Sequence, residues 1–152
     1  MKIRWKALLA ISAGIMLFWV LTMPIVHHSA RKGILTQRLN DLKQVENALQ
    51  LYLRDEDHLP KTLDELAANG SQRYVDKAGW AQISKFTSPT TKQRMDWLYY
   101  PEHFKEGDTE PRIILASPEA YKGDRIIGLS DFSARIISEK DFATLNAQTS
   151  PL

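Results

Sequence analysis

Residues 7–26, ALLAISAGIMLFWVLTMPIV, form a run without a single charge, and no other feature constrains the chain as much. A helix of that length spans about 30 Å at 1.5 Å per residue, the thickness of a bilayer's hydrocarbon core. Trp5 stands where an interfacial anchor belongs. Pro24 falls in the last turn, where its missing N–H leaves little backbone unpartnered. A cleavable signal peptide has a shorter apolar stretch, about 7–15 residues, before a small-x-small cut site. Here a cut after Ala30 places His28 where a small residue is needed. The expectation is therefore an uncleaved transmembrane helix over 7–26, preceded by a basic cytoplasmic tail over 1–6. Lys2, Arg4 and Lys6 before it outweigh Arg31 and Lys32 after it, which keeps the N-terminus inside a bacterial inner membrane and the body periplasmic. His27 and His28 read as interfacial polar residues rather than metal ligands.

The overall charge of +2 hides an asymmetry. Five of the 20 basic residues lie in the first 32 positions, which hold no acid; the other 120 positions carry 15 basic and 18 acidic side chains. A net-acidic body without a basic run lacks the phosphate-neutralising patch that nucleic-acid binding requires, so no nucleic-acid partner is expected. The absence of Cys excludes a disulfide framework, a zinc ribbon and a thiol nucleophile. The length suits one globular domain.

From Gly33 to Asp57 the apolar residues recur with helical period. Leu35, Leu39, Leu42, Val45, Leu49 and Tyr52 form the stripe, and Ala48 and Leu53 widen it. Gln37, Arg38, Asn40, Asp41, Lys43, Gln44, Glu46, Asn47 and Gln50 are assigned to a solvated face. The acidic end, Asp55-Glu56-Asp57-His58, is the densest polar cluster. A calcium or zinc ion there is one reading; a solvated helix end whose acids oppose the helix dipole is the simpler one.

The run MPIVHHSARKGILTQRLNDLKQVENALQLYLRDEDHLP resembles the type IV pilin-like proteins of bacteria, specifically the pseudopilins of type II secretion. The likeness rests on Pro24 at the end of the apolar helix, on Ala48, Leu49 and Tyr52 in the amphipathic helix, and on the acidic turn before Pro60. Leu63 and Leu66 match the short helix that major pseudopilins carry next. The resemblance implies a pilin-like fold and assembly beside homologous pilin-like subunits or secretion machinery. It places the prepilin cleavage site between Lys2 and Ile3. The family has Gly before the cut and Glu at the fifth residue after it, whereas Lys2 and Ala7 stand at those places here. Major pseudopilins can also bind calcium, in a later loop, so the resemblance leaves calcium open; no other cofactor is expected.

Beyond the helix, Thr62-Leu63-Asp64-Glu65 reads as a capping box opening a short helix that Gly70 closes. Residues 71–94 show no sustained period and are expected to be an irregular loop whose aromatics tuck under a sheet. Strands are expected over 96–100, 112–117, 125–129 and 134–137, the last two as a hairpin after a turn at Gly123-Asp124. Of Tyr99 and Tyr100, alternation puts one in the core and one on the surface. This C-terminal pattern also resembles a divergent pseudopilin-like group with an Asp-centred turn before the last strand, which implies that Asp131 holds the turn, although Phe132 follows it where Gly is usual in that group. Ser138 caps a terminal helix bearing Phe142 and Leu145, and residues 148–152 form a frayed tail.

The reading is an α+β, pilin-like fold: a long N-terminal helix, half in the membrane and half amphipathic, packed on a small antiparallel sheet, with a short C-terminal helix. The segments are 1–6, 7–26, 27–66 (amphipathic and short second helices), 67–147 (loop, sheet and terminal helix) and 148–152. No nucleophile elbow, phosphate loop or HExxH pair occurs, so no enzyme is expected. Two roles remain: a structural or assembly subunit of a type II secretion or type IV pilus-like system, and a non-polymerising single-pass adaptor or binding domain that retains the fold.

Overall fold

The computed structural model describes residues 32–68 and 74–149. The expected transmembrane helix over 7–26, the basic tail over 1–6, Gly70 and residues 150–152 lie outside them. Among the described residues no helix is long and apolar enough to cross a membrane. The chain divides into two compact units, Met1–Ile34 and Leu35–Leu152, and almost everything described belongs to the second.

The architecture is α+β. Helix α1 occupies residues 32–56 and ends where Asp57 takes a left-handed φ of 59° while its amide donates to the Leu53 carbonyl at 2.9 Å. Helix α2 is short, Glu65–Ala68. The capping box forms differently from expectation. The Thr62 hydroxyl donates to the Glu65 carboxylate, and that carboxylate also accepts from the Lys61 amide rather than from the Thr62 amide.

Residues 71–94 are not a structureless loop, at least from residue 74 onward. Asp76 caps α3 (Lys77–Ile83) by accepting from the Gly79 amide at 2.8 Å. The hairpin of β1 (Lys85–Thr87) and β2 (Arg94–Asp96) follows, with Phe86 opposite Met95. Elements of seven and three residues are too short to show a period, which is why the sequence hides them. Trp80, Ile83, Phe86 and Trp97 are nevertheless buried. Trp97 sits between strands, donates its indole N–H to the Ile83 carbonyl at 2.9 Å and meets Phe86 edge-on.

The main sheet has the order β3-β4-β5-β6, antiparallel throughout, from β3 (Leu98–Tyr99), β4 (Ile113–Ala116), β5 (Asp124–Leu129) and β6 (Ala134–Ser138). A bulge between Ile113 and Leu115 shifts the register of β4 on β5. The turn before β5 uses Lys122 and Gly123, one residue earlier than expected, both at positive φ (54° and 84°). Helix α4 (Glu139–Thr149) begins at Ser138, whose hydroxyl accepts from the Asp141 amide at 3.1 Å. It reaches Thr149, so the expected tail starts later than residue 148.

Apolar side chains gather on both faces of this sheet. Leu115 and Ile126 join the core that contains Leu35, Leu42, Val45, Ala48, Leu49 and Tyr52 of α1, together with the aromatics of α3 and β1. Ile113, Ala116, Ile127 and Leu129 pack with Phe142 of α4. Two covered faces explain why β4 is buried at every position and β5 at all but the first. They also correct the expectation for the tyrosines. Tyr99 leans on the first core, Tyr100 on the second, and both are half-buried. Leu145 is 37% exposed rather than paired with Phe142 in the core.

Candidate functional site

Of the residues singled out from the sequence, Lys2, Ile3, Ala7 and Pro24 lie outside the described residues. Leu35, Leu42, Val45, Ala48, Leu49 and Tyr52 are buried, and Leu39 is half-buried against them. The apolar stripe of α1 is therefore consumed inside its own domain. Pro60 is buried, and its carbonyl accepts from the Tyr99 hydroxyl at 2.8 Å. Asp55 to His58 do not gather as a metal site: among the described residues no group of three or more His, Asp or Glu could hold an ion.

The chemically unusual residue is Glu46. The helical stripe argument set it on the solvated face, yet it is 2% exposed. Its position was legible: Glu46 lies four residues after Leu42 and three before Leu49, on the midline of the stripe. Among the described residues its Oε1 has no hydrogen-bond partner. The carboxyl enters the core because β5 offers no side chain there. A Cβ on Gly128 would lie 2.5 Å from Oε1 and 3.2 Å from the Leu115 Cβ. Burial pushes the pKa of Glu46 up from an ordinary 4.5 to about 7, and the Asp131 carboxylate adds to the rise. Lys43 and the Leu129 backbone pull the other way.

Asp131 sits in the β5–β6 turn, where its Oδ1 accepts from the Ser133 amide at 3.0 Å and the Ser133 hydroxyl at 2.6 Å. Phe132 follows with φ 57°, the left-handed conformation that glycine would take without strain. Its ring is 6.1 Å from that of Phe104. Between this turn and the segment 104–111 lies an open cleft of about 260 Å³, lined by Phe104, Lys105, Asp108, Pro111, Asp131 and Phe132. The corner thus joins a buried acid, a second carboxylate and a strained turn. It can exchange a proton near neutral pH.

On the other face, Arg125 was legible only as a strand residue. It is 8% exposed, forks onto Glu139, donates to the Ser117 carbonyl at 2.6 Å and lies 4.3 Å from the Phe142 ring centre. This group fastens α4 to the sheet. Comparison of the chain with protein-family models, with curated proteins and with solved structures finds no match.

Proposed function

We propose that this chain is a membrane-anchored, pseudopilin-like structural or assembly subunit of a type II secretion or type IV pilus-like system. The observation that carries the reading is the order of parts. A charge-free run over 7–26 precedes an amphipathic helix whose stripe, Leu35 to Tyr52, is buried in a core shared with an antiparallel sheet. A long first helix, small antiparallel sheets and a short last helix support a pilin-like architecture. The role is one of packing and assembly at the outer face of a bacterial inner membrane rather than of catalysis.

A second reading is favoured by two specific observations. Lys2 and Ala7 replace the Gly and Glu of the family's processing and assembly site. The stripe that could serve lateral packing is occupied by the domain's own core, leaving residues such as Gln37, Asn40, Gln44, Asn47 and Gln50 on the exposed side. Both suit a single-pass adaptor that retains the fold without polymerising.

The deciding experiment is the intact mass of the protein extracted from native membranes. A chain beginning at Ile3, heavier by a methyl group, supports a processed subunit. A full-length chain from Met1 supports the permanently anchored adaptor. A chain beginning near Arg31 overturns the anchor and both readings with it.

A further inference from the structure

We propose that Glu46 is a proton-operated latch on the β5–β6 turn: as a neutral acid it seals α1 against Gly128, and on ionisation it releases the turn around Asp131 and Phe132. The geometry leaves an ionised carboxylate little alternative. Among the described residues Oε1 has no donor, and it lies against the backbone of β5 at Gly128. The Leu129 backbone is the one donor that favours the charged form, so a charge there is still largely desolvated, which is costly, and it gains by reaching water. Helix α1 cannot yield easily, since Leu42, Val45 and Leu49 on either side of Glu46 are fully buried. β5 cannot yield easily either, being paired with β4 on one side and β6 on the other.

The short turn is the soft element. It holds Phe132 in a conformation that costs a bulky side chain energy, so release relieves strain. It also carries Asp131, whose charge opposes ionisation of Glu46. The charged groups that face Glu46 are Lys43 from its own helix and Asp131 from the turn. β4 and β5 present Leu115 and Gly128, neither of which titrates. Release would enlarge the cleft beside Phe104.

The test is amide hydrogen exchange of the full chain in mild detergent from pH 5.5 to 8, corrected for intrinsic exchange. Protection at residues 130–133 is expected to fall at least about tenfold across that range while residues 125–127 stay protected. Glu46→Gln is expected to abolish the change, and Asp131→Asn to move it to lower pH. Equal pH profiles in the wild type and Glu46→Gln would overturn the latch. Should Glu46→Gln fail to fold, the carboxyl carbon shift of Glu46 in the wild-type protein decides. A titration near 7 supports the proposal and one near 4.5 overturns it.

Discussion

Arg125 and Glu139 meet as a two-point fork, Nε to Oε2 at 2.7 Å and a terminal nitrogen to Oε1 at 2.8 Å. The remaining terminal nitrogen reaches the Ser117 carbonyl, so one guanidinium ties β5, the end of β4 and the start of α4 together. Lysine is a point charge and cannot reproduce that fork. Arg125→Lys is expected to lower stability by about 2 kcal/mol, since it breaks the fork and takes this donor from the buried Ser117 carbonyl. Glu139→Gln should cost less, because the Glu139 side chain is 46% exposed and its charge is screened. Urea denaturation of the two variants checks the order; equal losses would mean that the fork is not what holds α4.

The contact of Glu46 with Gly128 makes a second, steric prediction. Gly128→Ala forces a methyl group into the carboxyl and into Leu115, and overpacking of this kind costs about 1–3 kcal/mol. Adding Glu46→Ala should recover part of that loss, because the group that collides has been removed. A double-mutant cycle in urea measures the coupling. Strict additivity would place the strain elsewhere.

Stability should also depend on pH through Glu46. Its folded pKa of about 7 lies above the ordinary 4.5 of an unfolded chain. Its stabilising contribution is full below 4.5, falls as pH rises towards 7 and is lost above it, a total of about 3 kcal/mol for a shift of this size. Glu139 acts with the opposite sign. The hydrogen bond from Arg125 holds its carboxyl below the usual range, so its contribution is present at neutral pH and lost only in acid. Urea midpoints between pH 5 and 8 should therefore decline in the wild type and stay level in Glu46→Gln.

The turn at Lys122-Gly123 offers a gain rather than a loss. Both residues have positive φ, and the Tyr121 and Asp124 backbones exchange hydrogen bonds across it at 2.7 and 3.2 Å. Asparagine accepts that conformation more readily than lysine. Lys122→Asn is expected to raise stability by about 0.5 kcal/mol, a shift readable in the thermal midpoint. A drop would show that the 5.6 Å contact of Lys122 with the Tyr121 ring outweighs the backbone term.

Legibility tracked the length of each pattern. The stripe of α1 repeats over five turns and identified its buried side, and the runs in β4, β5 and β6 are apolar enough to stand out. Asp131 was readable as a turn residue from its place between two apolar runs, and its side chain does accept from the backbone two residues on. α3 and the β1–β2 hairpin were not readable, since neither is long enough to display a period. Glu46 was missed for a different reason. Its residue type argued for solvent while its spacing argued for the core, and spacing was the better guide.

By itself the sequence determined what depends on neighbours along the chain: the charge-free run, the periodic face of α1, the strands β4, β5 and β6 and the Ser138 cap of α4, whereas the strand expected over 96–100 is divided between β2, which ends at Asp96, and β3, Leu98–Tyr99. Tertiary structure alone decided what depends on the second face of the sheet. Whether both tyrosines are half-covered, whether Arg125 has three acceptors and whether a glutamate can be buried against a glycine all depend on which elements pack together. Those pairings join residues such as 46 and 128, or 125 and 139. Local propensity extends over a few residues, whereas burial is set by whatever the folded chain brings across the sheet.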